Sequence, residues 1–376
     1  MIKVLHVIAS LDVGGAEMML YKLAKNMNKE QVKFEVITLL NGGALSLEFE
    51  ALGVHIHRLD MQRGPLSFLS LWKFFRILQR SQPQVIQGWM YHGNIFAILG
   101  HLVSSGVLCF WSVRHCVYDL SQEKRLTKWI IQLGAKLSFL PNAIIYNSEL
   151  SRQQHEYLGY RRSKSIVIPN GFDTKVFKKD DNLRSEIRRD LGISEGDFLV
   201  GMIGRFHPMK DHHNFIKAAR IIVESRDNVY FLLAGREVDD DNSVLAKWVH
   251  NMPRLSKHLF LLGERQDIAA LNAAMDMAVL SSSSEAFPNV LGEAMATSTP
   301  CVTTDVGDAA YLLGDTGVVV PAQEPEKLAE GIESVLNLPL SARQKIGEKA
   351  RERIEDKFSI VHIVRQYEKL YTGKDN

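Results

Sequence analysis

Short apolar runs alternate along the chain with longer stretches in which apolar residues recur every third or fourth position. KVLHVIA opens the series, followed by a helical pattern from about Ala16 to Met27, then KFEVITLL, a short helix, VHIHRL, a helix over about Leu66–Gln79 and QVIQGW. It continues through VLCFWSV, a helix over about Glu123–Leu140, AIIYNS and SIVIPN, and ends near Asn170. Strands that are apolar throughout are buried on both faces, and their regular alternation with helices is the βαβ rhythm of a parallel sheet. After a polar stretch, DTKVFKKDDN, and a helix around Leu183–Leu191, the rhythm restarts with FLVGMIG, a helix from about Asp211, VYFLLAG, HLFLLG, MAVLSS, PCVTTD and GVVV. The pattern predicts an α/β chain of two doubly wound parallel-sheet domains. A last helical region, about Ser341–Tyr371, has no following strand and is free to pack on either domain.

A length of 376 residues exceeds one ordinary core and fits two. The apolar fraction of 46% and the charged fraction of 23% exclude disordered and collagen-like classes. Cys109, Cys116 and Cys301 form no CxxC pair and are too few for a disulfide framework, which predicts a reducing, cytoplasmic setting. The amino terminus, MIKVLHVIAS, reads as a first buried strand and not as a signal peptide, because its apolar run is short and breaks at Asp12. Asn94–Val113 has the length of a bilayer span, but Gly100, His101, Ser104, Ser105 and Gly106 interrupt it; it reads as a helix to about Val103, a turn and a strand. Residues 1–170 hold 19 Lys and Arg against 11 Asp and Glu, so the net charge of +2 hides a basic first half and an acidic second. A basic half suits an anionic membrane surface or a phosphorylated acceptor, and lysine-rich solvated helix faces account for it equally well.

Open parallel sheets bind ligands at the carboxyl ends of their strands, so two such domains facing each other would make a cleft. Three stretches at strand ends carry chemistry. In ASLDVGGAEMML, Gly14 and Gly15 stand between a strand and a helix, where free N–H groups and the helix dipole suit an anion; a tight turn alone also selects two glycines. In GMIGRFHPMKDHH, Arg205 and Lys210 share one loop with no acid near them in sequence, and suit a diphosphate as a planar fork and a point charge. His207, His212 and His213 supply no complete metal ligand set, and two adjacent histidines on a helix point apart.

The third stretch is SSSSEAFPNVLGEAMATSTPCVTTD. Pro288 suits the first helical turn, where its missing N–H is not needed, and the N–H groups of Asn289, Val290 and Leu291 would then be open to an anion. Glu285 before that point and Glu293 after it are better suited to accept hydrogen bonds from hydroxyls on either side of a phosphate, as from a sugar and a ribose. The alternative is a helix with a stray surface glutamate. A further loop, Asp239-Asp240-Asp241, contains the DxD pattern of some metal-dependent sugar-nucleotide enzymes and reads here as solvated.

Together these stretches resemble the retaining glycosyltransferases of family 4, which have the GT-B fold of two facing Rossmann-like domains with a cleft between them. Glu285 and Glu293 match the E-x7-E motif, Arg205 and Lys210 the GR-x4-K pattern, Gly14-Gly15 the amino-terminal loop, and IPNGFD at 168–173 the interdomain segment. WMYHGN, RFHPMKDH and FPNVLGEAMA are further similar to bacterial members of surface-polysaccharide assembly.

The resemblance implies that Glu285 contacts the donor sugar hydroxyls, helped by backbone N–H groups from Ala286, Phe287 and Asn289. It implies that Arg205, Lys210 and the N–H groups of Val290 and Leu291 hold the diphosphate, that Glu293 binds the ribose, and that Gly15 approaches the β-phosphate from the other domain. His115 would reach the donor sugar or reacting centre, and His92 the acceptor side. The carboxyl-terminal helix would cross back onto the first domain, giving domains at 1–170 plus about 354–376 and at 171–353. The implied activity is retaining, metal-independent transfer from a nucleotide-sugar, most simply a UDP-sugar, to a hydroxyl of a glycan or lipid-linked acceptor in polysaccharide assembly. No cofactor beyond the co-substrate, no metal and no nucleic acid is implied, and the protein would lie in the cytoplasm or peripherally at the inner face of the membrane.

Ala286 stands where the family commonly has glycine, and Thr297-Ser298 where it commonly has Cys-Gly. These departures bear on donor identity more than on reaction class. The alternatives are a GT-B nucleotide-sugar hydrolase or epimerase, and a non-catalytic nucleotide-sugar binding protein.

Overall fold

The computed structural model describes residues 1–62 and 67–373, so Leu66, at the start of the third predicted helix, lies outside them. The chain divides into two units, Met1–Gly171 with Ile360–Asn376, and Phe172–Ser359.

The first unit runs β1 (Ile2–Ile8), α1 (Gly15–Asn26), β2 (Val32–Thr38), α2 (Ser46–Ala51), β3 (His55–Arg58), α3 (Phe68–Ser81), β4 (Val85–Trp89), α4 (Met90–Val103), β5 (Leu108–Val113), α5 (Arg125–Leu137), β6 (Ala143–Tyr146), α6 (Glu149–Tyr157) and β7 (Ser165–Val167). Its seven strands are parallel in the order β3-β2-β1-β4-β5-β6-β7. One core lies under α1 and α2, with Leu20, Leu23 and Phe49 fully buried, and another under α3, α4 and α5, with Phe74, Ile98 and Ile131. That division follows from right-handed crossovers: connections running one way from β1 cover one face and those running the other way cover the opposite face. The segment 94–113 is α4, a turn and β5, and among the described residues no helix is long and apolar enough to cross a membrane.

The second unit runs α7 (Asp181–Asp190), β8 (Phe198–Ile203), α8 (His212–Val223), β9 (Val229–Ala234), α9 (Ser243–His250), β10 (Leu259–Leu261), α10 (Ile268–Ala274), β11 (Met277–Leu280), α11 (Asn289–Ala296), β12 (Cys301–Thr304), α12 (Ala309–Leu313), β13 (Gly317–Val320), α13 (Pro325–Leu336) and α14 (Leu340–Arg353). Its six parallel strands are ordered β10-β9-β8-β11-β12-β13, so the winding reverses between β8 and β11. At such a switch point the two following loops diverge to opposite faces and leave a crevice between them.

The last helical region is not continuous. A widened turn over Ile354–Phe358 and an extended Ser359 separate α14 from α15 (Ile360–Thr372). Ile354 and Phe358 are buried in the core of the second unit, so the return to the first unit falls at Ile360 and not near Ile354. The outgoing and returning segments run side by side, Phe172 N–H donating to Phe358 O at 2.9 Å. Within the first unit α15 buries Ile363, Val364, Tyr367 and Tyr371 against the core under α1. Glu368 accepts from Asn28 N–H at 2.8 Å.

Candidate functional site

The switch point of the second unit brings together two residues that the sequence reading placed in separate stretches. Lys210, in the loop after β8, extends its Nζ to 2.6 Å from Glu285 Oε1, in the loop after β11. Both side chains are largely covered, at 21% and 13% exposure. The same Glu285 oxygen accepts from Ser282 Oγ at 2.8 Å. An ammonium has three donors and a carboxylate about four lone-pair sites, so this contact leaves Lys210 capacity for an incoming anion.

The serine run before Glu285 ties the two loops to each other. Ser281 Oγ donates to the carbonyls of Lys210 and Asp211, each at 3.1 Å, and Ser283 N–H donates to Met209 O at 2.9 Å. Thr304 Oγ1 in turn donates to Ser282 O at 2.6 Å. Glycines let the backbones close in. A Cβ on Gly235, at φ +152°, would strike the Gly204 carbonyl, and the aliphatic stem of Lys210 lies along Gly204. Gly307, at φ +55°, lies against the carbonyls of Glu285 and Ala286, and Asp308 N–H donates to Ala286 O at 3.0 Å.

Arg205 is exposed at the start of the same loop and has no ion-pair or hydrogen-bond partner among the described residues. His207 accepts from Met209 N–H at 3.3 Å, and burial together with the charges of Arg205 and Lys210 lowers its pKa. His212 lies beneath the loop with Nε2 3.3 Å from Gly204 O, and burial lowers its pKa to about 4. His213 turns away against Trp248, ring centroids 4.7 Å apart. Among the described residues no group of three or more His, Cys, Asp or Glu side chains is placed to hold a metal ion. The aspartate loop leads into α9, with Asn242 capping Val244 and Leu245 N–H at 3.0 and 3.2 Å.

Helix α11 begins one residue later than expected. Pro288 is its N-cap, extended at φ −76° and ψ 109°, and the first turn starts at Asn289. A proline has no N–H to lose at either position, but ψ near 109° puts it outside the helix. Gly292 N–H makes the first helical bond, 3.4 Å to Pro288 O, and among the described residues the Val290 and Leu291 N–H groups have no backbone acceptor. Asn289 and Glu293 are four residues apart and so share a face, half-buried, whereas Leu291, Ala294 and Met295 face the core. Phe287 is likewise buried, stacked on Phe172 at 6.3 Å, so only its backbone is available to a ligand. The phenyl ring of Phe172 fills the place where a side chain at Gly292 would stand. Ser298 closes the helix at φ +63°, with Thr299 N–H on Ala294 O at 3.1 Å and Ser298 N–H on Met295 O at 3.0 Å. That is a glycine-type cap made without glycine.

In the first unit Gly14 caps α1 and Gly15 is its first residue. Gly14 is extended at φ −155°, a conformation open to any residue, and the Glu17 carboxylate, the mobile end of its side chain, folds back into the space a Cβ would take. Burial and the Asp12 charge raise the Glu17 pKa against the opposing effect of its backbone hydrogen bond. His115 follows β5, its Nε2 2.8 Å from Glu123 Oε1. His92 is exposed in the first turn of α4. Ser282, Gly307, Glu17 and Glu123 were not singled out in the sequence. The Gly-Asp pair after PCVTTD was the one local signal among them, marking a turn at a strand end.

Two known families match the sequence: the glycosyl transferases group 1 over residues 184–353, and glycosyltransferase family 4 over residues 13–176. The Escherichia coli UDP-Gal:alpha-D-GlcNAc-diphosphoundecaprenol alpha-1,3-galactosyltransferase is 26% identical over 321 residues, covering 80% of this chain and 78% of that one. The Staphylococcus aureus capsular polysaccharide biosynthesis glycosyltransferase CapM is 25% identical, covering 84% of each chain. Among solved structures, Anabaena Alr3699/HepE in complex with UDP superposes with a TM-score of 0.86 over 99% of this chain and 100% of that one, at 22% identity, a likeness of fold.

Proposed function

The chain belongs to the family 4, group 1 glycosyltransferases, with their GT-B fold, and from that premise we propose that it transfers a sugar, with retention, from a UDP-sugar to a hydroxyl of a glycan or lipid-linked acceptor in polysaccharide assembly. The observation that carries this reading is the convergence of Lys210, Glu285 and the open N–H groups of α11 at one switch point. Cleavage of the bond between the anomeric carbon and phosphate builds negative charge on the leaving diphosphate. Lys210 and the Val290 and Leu291 N–H groups are preorganised to receive that charge, and Arg205, exposed on the same loop, joins them when the donor binds, a role that does not call for a bound metal. Glu285 positions the donor sugar and Glu293 the ribose. The acceptor hydroxyl attacks from the face the diphosphate leaves, and a phosphate oxygen takes its proton. The E. coli relative supports UDP and a diphospholipid-linked acceptor by its name, and the Anabaena structure supports UDP by its ligand.

A membrane surface is the second partner we propose. Helix α3 exposes Phe68, Leu69 and Trp72, and α5 exposes Leu126 and Trp129, with Phe139 beyond its end. Neither helix contains an acid, and both carry bases, among them Arg76 over the Trp72 ring at 4.6 Å, Arg125 and Lys136. Both lie on the same face of the sheet. Exposed aromatics interleaved with bases suit the headgroup layer of an anionic bilayer.

The test of the reaction is a thermal-shift screen of UDP-, GDP- and ADP-sugars, followed by transfer from the best donor to a lipid-diphosphate sugar with and without chelator. Expected are a UDP preference and turnover that survives chelation. A strict Mg²⁺ or Mn²⁺ requirement would return the aspartate loop to consideration, and donor hydrolysis without transfer would point to the hydrolase alternative.

A further inference from the structure

We propose that Glu123 is the positioning residue of His115, holding its ring with the proton on Nε2 and so presenting Nδ1, a hydrogen-bond acceptor, to a hydroxyl of the bound sugar. This rests on the proposed function for the side of the reaction His115 serves, and adds the atom that serves it and the group that selects that atom.

The backbone around His115 is held from several elements. Ser151 Oγ on α6 donates to the His115 carbonyl at 2.6 Å, and Val117 N–H donates to Gln154 Oε1, also on α6, at 2.9 Å. The guanidinium of the preceding Arg114 donates to Asn170 Oδ1 and to the Tyr367 hydroxyl. With the main chain fixed, what remains to be set is the orientation of the imidazole and the nitrogen that carries its proton. Tyr91 stands edge-on to the ring at 6.4 Å, and Glu123 Oε1 lies 2.8 Å from Nε2.

Glu123 sits at the junction between a short helical turn, Leu120–Gln122, and the N-cap of α5. Asp119 braces that turn by accepting from Ser121 N–H at 2.8 Å and Ser121 Oγ at 2.6 Å. A carboxylate oxygen accepts, so the contact favours a proton on Nε2, and in the neutral form of the ring that leaves the lone pair on Nδ1. Among the described residues Nδ1 has no hydrogen-bond partner, and the side chain is 36% exposed. A neutral histidine so arranged receives a hydroxyl proton at one fixed position.

The tautomer can be read without turnover. Full-length protein labelled with ¹⁵N-histidine, with the His115 resonances assigned by difference from H115Q, is expected to show His115 with Nε2 protonated and Nδ1 bare, and E123A is expected to relax it to a mixture. A mixture already present in the wild type, or a tautomer unmoved by E123A, overturns the proposal. With a donor that turns over, E123A should lower kcat/KM about tenfold in the wild type and have no further effect in H115A, with UDP affinity unchanged throughout. Additive losses overturn it as well. Absence of any transfer by the wild type would instead strike the proposed function, and the ¹⁵N spectrum would still decide the role of Glu123.

Discussion

Lys210 Nζ lies 2.6 Å from Glu285 Oε1 across 75 residues of sequence, and the two loops that meet there follow neighbouring strands, β8 and β11. Parallel sheets bring together residues distant in sequence when their strands flank the point where the winding reverses. Here the pair also keeps two partly covered charges compensated before a donor arrives.

Glu293 shares the half-buried face of α11 with Asn289, and in the proposed reaction it binds the ribose. E293A should weaken UDP binding by about 1.5–3 kcal/mol, the range for a hydrogen bond to a charged group. The loss would appear as a raised donor KM and a smaller UDP-induced rise in Tm, with kcat changed less. Undiminished UDP affinity would remove the ribose assignment.

Gly307 combines φ +55° with direct contact to the Glu285 and Ala286 carbonyls. G307A therefore meets both backbone strain and a clash, and should cost about 1–3 kcal/mol. Because the displaced atoms belong to Glu285, the variant should lose activity as well as Tm. A control such as Gly196→Ala, where a Cβ meets open space, should change neither by much.

His212 titrates near pH 6.5 when unfolded and at about 4 when folded, because burial disfavours its charged form; His155 behaves alike, also at about 4. Between these values the unfolded chain binds more protons, so stability falls as pH is lowered from 6.5 towards 4. The slope is at most about 1.4 kcal/mol per pH unit for each such histidine. Thermal unfolding at pH 7 and pH 5 should show the drop, and a variant that still folds with His212→Gln should show a shallower one.

Binding to vesicles of neutral and anionic lipid tests the outer face of α3 and α5. Flotation with anionic vesicles, lost on replacing Trp72 and Trp129 by Ser and weakened by salt, is expected. Equal binding to neutral vesicles would argue against a role for the bases, and no binding to either would exclude this face as a membrane anchor.

The inner strands were legible in the sequence because they are buried on both faces and read as near-continuous apolar runs, VLCFWSV around β5 and AIIY at β6 being examples; GVVV at the edge strand β13 is apolar in sequence although Val319 is exposed. Lys210 and Glu285 were legible as types of residue at strand ends. Their contact was not, since it depends on β8 and β11 being neighbours, which no local pattern states. Pro288 suited a helix start, yet its place as N-cap instead of first helical residue is set by one ψ angle. Gly14 suited an anion loop, whereas the Glu17 carboxylate occupies the space its missing Cβ leaves. The break between α14 and α15 was hidden because Ile354 and Phe358 continue an apolar helical pattern while belonging to a different core from Ile363 and Tyr367.

The central claim is that Lys210 and Glu285 serve transfer at the β8–β11 switch point. Its most direct test is the transfer rate of K210A, E285A and the double variant, with the donor that the wild type uses best and the product anomer followed by NMR. The account predicts a product of retained configuration in the wild type and a kcat lowered about 10²–10³-fold in K210A. It further predicts smaller changes in donor affinity than in kcat, and a loss in the double variant well short of the product of the single losses. A double variant that transfers sugar at the wild-type rate would contradict it.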